Sequence, residues 1–179
     1  MKTRSILTVP TSLQPLFIPA APVKKISQET RTILDDMYDT LMKPERKGIG
    51  LAATQIGISK RLVVIDINRE GFNTGRMNLI NPEIIWHSEE TRVYNEGCLS
   101  VPGENGLPRL IEVTRPAKVR VKYIDMLSGL EKIMEADGLL ATCLQHEIDH
   151  LNGITILHYA KAPDTLPAVQ ETSPSSGKA

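Results

Sequence analysis

The chain has 179 residues, 41% of them hydrophobic, and its 21 Lys and Arg balance its 21 Asp and Glu. That length suits one domain with a real core, and the zero net charge excludes a global field that would draw the chain to nucleic acid or a membrane surface. No apolar run reaches transmembrane length, and two cysteines are too few for a disulfide framework and suit a reducing compartment.

Residues 1–26 read as an extended, Pro-rich wrap over the domain surface, with prolines at 10, 15, 19 and 22. Lys2 and Arg4 without an acid before Glu29 hint at a transit peptide, but the apolar segments around Ile6 and Phe17 read as ordinary packing segments. Ser27 is a good N-cap, and Ile33, Leu34, Met37, Tyr38 and Leu41 follow at helical spacing until Pro44 ends the run. The small residues from Gly48 to Gly57 allow close backbone approach. Gln55 is the odd residue there, because a buried amide must find partners or donate to a ligand. No Lys-Ser/Thr follows at Walker spacing, so a phosphate loop is a poor reading.

Arg61–Ile67 reads as a strand, Glu70–Gly75 as a turn, and Met77–Trp86 as a second strand broken at Asn81-Pro82. Thr91–Tyr94 reads as a third. Ala117–Ile124 alternates cleanly, so one face is wet, and Ser128-Gly129 turns it into Leu130–Glu135 as a hairpin. A helix follows, capped at Asp137, with Leu139, Leu140, Cys143, Leu144, Ile148 and Leu151 as its apolar stripe and Asn152-Gly153 as its stop. Ile154–Leu157 reads as a last short strand. Residues 161–179 lack apolar periodicity and read as a disordered tail behind a single catalytic domain over 1–160. The order of elements favours α+β, with antiparallel sheets packed around a central metal-binding helix.

That helix carries His146-Glu147-Ile148-Asp149-His150. Residues four apart share a helix face, so the two histidines can hold one metal ion, with Glu147 beside it as the base for an activated water. With 4 His in 179 residues, His-Glu-x-x-His is expected by chance only roughly 0.006 times, against the bland reading of an amphipathic helix with surface histidines.

A catalytic site of this kind usually has three protein ligands and one open position. A third His six residues after His150 would fall on Ile156, and a distant Glu would be Glu171 in the tail. Cys143 lies on the same helix about 10.5 Å from His150 along the axis, too far for a short thiolate arm, and reads as a buried apolar residue. Cys98, in Glu96-Gly-Cys-Leu-Ser100, is the cysteine left. Asp149 reads as structural, with Arg109 as its partner, and His87 and His158 as solvated.

Gly48-Ile-Gly-Leu-Ala-Ala-Thr-Gln55, Glu96-Gly-Cys-Leu-Ser100 and Gln145-His-Glu-Ile-Asp-His-Leu-Asn-Gly153 together resemble the three signature motifs of the peptide deformylases, across roughly residues 5–160. The resemblance implies removal of the N-formyl group from the initiator methionine of nascent polypeptides. It implies Cys98, His146 and His150 as metal ligands, Fe²⁺ as the native ion, and Zn²⁺ or Ni²⁺ able to substitute. Gln55 and the Leu99 N–H would be oxyanion donors, with Glu147 as general base and then acid. A formylmethionyl peptide would add as a strand near Ile49 and Gly50, with Ile49, Leu139 and Cys143 walling the methionine pocket.

Many family members end in a long helix where this sequence has a Pro/Ser tail, which leaves ribosome docking open. The expected setting is a monomer in a bacterial cytoplasm, since the family-like region starts almost at Met1. Two rivals stand beside this reading. A zinc metallopeptidase would want a His or Glu third ligand, and an idle or structural metal-binding homologue would lack Glu147 or add a fourth ligand.

Overall fold

The computed structural model describes residues 2–11, 15–46, 48–69, 72–104 and 108–160. The expected disordered tail lies outside the described residues. The elements in order are α1 (Gln28–Leu41), β1 (Gly50–Ala52), β2 (Leu62–Ile65), β3 (Asn68–Arg69), β4 (Phe72–Asn73), β5 (Met77–His87), β6 (Thr91–Pro102), β7 (Pro108–Pro116), β8 (Lys118–Asp125), β9 (Glu131–Asp137) and α2 (Gly138–Leu151). The strands form a five-stranded sheet of order β1-β2-β5-β8-β9 and two ribbons, β3-β4 and β6-β7. Every ladder is antiparallel. This is the α+β fold expected from the order of elements.

α2 is buried along most of its length, because the sheet and the 3-10 turn Ala53–Ile56 surround it. Its residues Ala141, Cys143, Leu144, Ile148 and Leu151 share one core with Val63, Ile65, Leu79, Val119 and Val121 of the sheet. Helix α1 covers the other face of the sheet, packing Leu34, Met37 and Leu41 with Leu51, Leu62, Val64 and Ile80. β2 is buried on both faces for that reason, which is why it reads as a continuous apolar run. A third core joins the β6-β7 ribbon, through Cys98, Val101, Ile111 and Val113, to Ile156 and Leu157.

The N-terminal wrap is pinned at several points. The Lys2 N–H and the Arg4 guanidinium both donate to the Asp36 carboxylate. Leu7 N–H donates to Gln55 O at 2.8 Å and Val9 N–H to Ser100 O at 3.0 Å.

Several expectations are corrected. The third strand does not stop at Tyr94 but runs to Pro102, paired with β7, a strand the sequence reading left out. β5 is continuous through Asn81-Pro82; a register shift there absorbs the irregularity, with Asn81 at φ 52° and its amide bridging to Val23. Ile154–Leu157 is not a strand. A 3-10 turn, Ile156–Tyr159, seats Ile156 and Leu157 in the third core. Asp137 stands at the N-cap of α2 but makes no side-chain capping bond.

Candidate metal centre

β-strand alternation places Glu96, Cys98 and Ser100 on the inward face of β6. α2 presents His146, Glu147 and His150 toward that face. The ligand atoms of Cys98, His146 and His150 all lie within 4.8 Å of one another, and Cys98 Sγ is 3.1 Å from His150 Nε2. The two imidazoles are 5.0 Å apart by centroid and nearly perpendicular. All three residues are buried.

The histidines are tuned in opposite directions. His146 Nδ1 lies 2.9 Å from Glu96 Oε2; a carboxylate can only accept there, so Nδ1 carries the proton and Nε2 turns to the cluster. Burial pushes the His146 pKa down, but the bonds to Cys98 and Glu96 outweigh it and hold the value well above normal. His150 is pushed well below normal by burial and by the charge of His146. One sulfur and two imidazoles thus converge on a single point. A sulfur and two nitrogens fit such an ion, and no fourth protein ligand closes the set among the described residues.

Glu96 is itself held in a buried network. Arg115 grips both its oxygens and donates from Nη1 to Asp149 at 2.8 Å. Burial would raise the Glu96 pKa, yet His146 and Arg115 together lower it. Tyr159 donates to the same Asp149 oxygen at 2.8 Å, and its ring lies under the Arg115 guanidinium. Asp149 is thus fixed by Arg115 and Tyr159, where the sequence pointed to Arg109. Alternation along β6 would have flagged Glu96, two residues before Cys98, had that strand been recognised. Arg115 had no local signal.

Glu147 is buried, its Oε2 has no hydrogen-bond partner, and burial raises its pKa to about 7. Gly50 is what leaves it room: a Cβ there would lie 2.6 Å from Glu147 Oε1 and 2.8 Å from Cys143 Sγ. Gln55 is held at both ends, its Oε1 accepting from Ala52 N–H at 2.9 Å and its Nε2 donating to Ser100 Oγ at 3.2 Å. The same Nε2 lies 3.7 Å from Cys98 Sγ. The β6-β7 register shifts between Gly97 and Pro102, the stretch that contains Leu99.

A cavity of about 570 Å³ opens beside this group. Ile49, Gly50, Leu139 and Cys143 line it, as do Gln55, Leu99, His146 and Glu147. Tyr94, Thr142, Glu45 and Arg46 also line it, and no motif marked them. His87 and His158 lie outside the cluster and are exposed; His158 Nδ1 accepts from Thr155 N–H.

A buried cysteine sulfur and two imidazoles around one point, beside a carboxylate with one free oxygen at the wall of a cavity, make the donor set of a mononuclear metal-dependent hydrolase. Comparison with known proteins gives the family. The sequence model of the polypeptide deformylases matches residues 3–165. A peptide deformylase of Rhizobium meliloti is 48% identical over 140 residues, which is 78% of this chain and 76% of that relative. One of Methylocella silvestris is 45% identical over 162 residues, covering 89% and 78% of the two chains. The crystal structure of peptide deformylase from Ehrlichia chaffeensis in complex with actinonin superposes with a TM-score of 0.80 at 40% identity, covering 90% of this chain and 91% of that one. The chain belongs to the peptide deformylase family. It is a metal-dependent hydrolase that removes the N-formyl group from nascent formylmethionyl peptides. Among the described residues no helix is long and apolar enough to cross a membrane.

Proposed function

We propose that Cys98, His146 and His150 hold one divalent ion, native Fe²⁺ with Zn²⁺ or Ni²⁺ able to replace it, and that residues 1–160 act as one catalytic unit. The observation that carries this is the convergence of the three ligand atoms within 4.8 Å beside the unpartnered Glu147 Oε2. Thiolate with imidazole suits all three metals. The ion supplies Lewis acidity and makes water acidic enough to serve as a nucleophile near neutral pH.

The rest is done by the chain. Glu147 takes the proton of the attacking water on its free Oε2 and delivers it to the departing amine, so the formyl carbon leaves as formate and the methionine amine is freed. A carboxylate held near pKa 7 by burial is matched to that exchange at neutral pH. The oxyanion on the formyl carbon accepts from the Gln55 amide and from the Leu99 N–H, both at the cavity lining. The substrate backbone pairs with β1 at the sheet's edge, near Ile49 and Gly50, while Ile49, Leu139 and Cys143 receive the methionine side chain. Actinonin, bound by the Ehrlichia relative, would enter the same cavity. The relatives are bacterial, which supports a cytoplasmic setting. The enzyme acts there as a monomer and meets its substrates in transient contact with the ribosome.

The test is metal content with formate release from formyl-Met-Ala-Ser. Cys98→Ala should lose both; Cys143→Ala should keep its metal. Glu147→Ala should keep metal and fold while kcat falls by at least about 10²–10⁴. Full metal occupancy in Cys98→Ala, or near-normal kcat in Glu147→Ala, would overturn the assignment.

A further inference from the structure

The cavity has a charged rim that the hydrolysis does not use. Arg46 and Glu45 both line it, on the segment between α1 and β1 that leads into Gly48, Ile49 and Gly50. The two charges are not equivalent. Glu45 is well exposed and has Lys43 within 3.8 Å. Arg46 is half-buried and makes no ion pair among the described residues; its guanidinium donates only to main-chain carbonyls, Thr40 O at 2.8 Å and Arg4 O at 3.5 Å. Thr40 lies in the last turn of α1, so the bond to its carbonyl caps the helix, and the two bonds together fix the planar group. The helix end offsets only part of a unit charge. A positioned guanidinium with spare donors, at the mouth of a peptide-binding cavity, is suited to a carboxylate.

We propose that Arg46 is a specificity-determining residue that favours nascent chains with Asp or Glu among the first two residues after the formylmethionine. This rests on the deformylase reading of the same cavity. A substrate strand that pairs near Ile49 and Gly50 meets Gly48 and Arg46 next along the same segment, and both line the same cavity. Gly48 keeps that stretch narrow in one direction: a Cβ on it would lie 2.9 Å from Leu99 Cδ1. Side chains just after the methionine are therefore brought to the rim, where a charge acts in partly screened water. The effect is one of selection among substrates, not of catalytic power.

The experiment uses the metal-loaded enzyme and formyl-Met-Ala-Ser peptides with Glu, Gln or Lys at the first or second residue after methionine, read as kcat/KM by formate release. The wild type should favour Glu over Lys at one of these positions by about two- to fivefold at low ionic strength, the scale of an exposed ion pair. The preference should shrink in about 0.5 M salt. Arg46→Gln should flatten the ratio, Arg46→Lys should keep its sign, and Arg46→Glu should invert it. The ratio compares peptides on one variant, so a loss of stability from the broken helix cap does not move it. A flat ratio in the wild type, or a preference that survives Arg46→Gln, overturns this inference alone. Failure of the wild type to release formate from any of the peptides overturns the deformylase reading with it.

Discussion

Ser100 Oγ accepts a hydrogen bond from Gln55 Nε2 at 3.2 Å, while Gln55 Oε1 accepts from Ala52 N–H. The carboxamide is thus fixed in one of its two orientations, with nitrogen toward Cys98. Ser100→Ala removes that constraint and leaves a buried N–H short of its partner. A neutral hydrogen bond contributes about 0.5–1.5 kcal/mol, so kcat should fall about two- to tenfold. KM and metal content should stay near wild type. A change in KM alone would show that Ser100 does not act through Gln55.

Gly50 gives a second, steric prediction. A methyl group there meets Glu147 Oε1 and Cys143 Sγ inside van der Waals contact. Gly50→Ala should fold with a penalty of about 1–3 kcal/mol, seen as a lower melting temperature. It should also lose most of its turnover, because Glu147 must swing from its place. Cys143→Ala in the same chain should restore part of the stability and less of the activity.

Glu96 orients His146 and is held by Arg115. Loss of such an outer partner typically weakens metal affinity about 10–100-fold. Glu96→Ala should show that loss in a competition assay against a chelator. It should also be less stable than wild type, because Arg115 is left buried with Asp149 as its one remaining carboxylate. Unchanged metal affinity would show that the His146 orientation is set elsewhere.

Asp36 makes stability depend on pH. Burial would raise its pKa, but Arg4 and the Lys2 N–H lower it overall. A depressed carboxylate stabilises the fold above its unfolded value of about 3.9, and that contribution is lost as pH falls through the folded value. Asp36→Asn should therefore cost about 1–2 kcal/mol at pH 7, since the Arg4 partner is partly exposed. The gap in melting temperature between the two proteins should close below about pH 4. A gap that persists unchanged at pH 3 would rule out the charge as its cause.

The sequence made the chemistry of α2 legible because helical spacing is rigid: His146 and His150 must share a face, whatever surrounds them. Gln55 was legible as an amide out of place among small residues. The β6-β7 ribbon was not, since Glu96-Gly-Cys-Leu-Ser100 has polar residues on the inward face, where a strand template expects apolar ones. Those inward polar residues are the site itself. Arg115 was invisible for a related reason. Its partners Glu96 and Asp149 are 19 and 34 residues away, and only the tertiary fold brings them together. The last turn misled because Ile-Leu suits a strand or a 3-10 turn equally, and the packing of both side chains against Val101 and Ile111 decided it.

The strap that docks at Leu7 and Val9 also fixes an order of events during synthesis. Val9 can bond Ser100 only once some ninety further residues have left the ribosome, and Cys98 meets His150, 52 residues beyond it, later still. Contacts of such sequence separation close slowly, because each requires a long loop to be ordered first. Lys2, Arg4 and Leu7 find Asp36 and Gln55 first, Val9 waits for Ser100, and the meeting of Cys98 with His150 comes later again. A chain that ends before α2 lacks His146 and His150, so Cys98 has no imidazole to converge with.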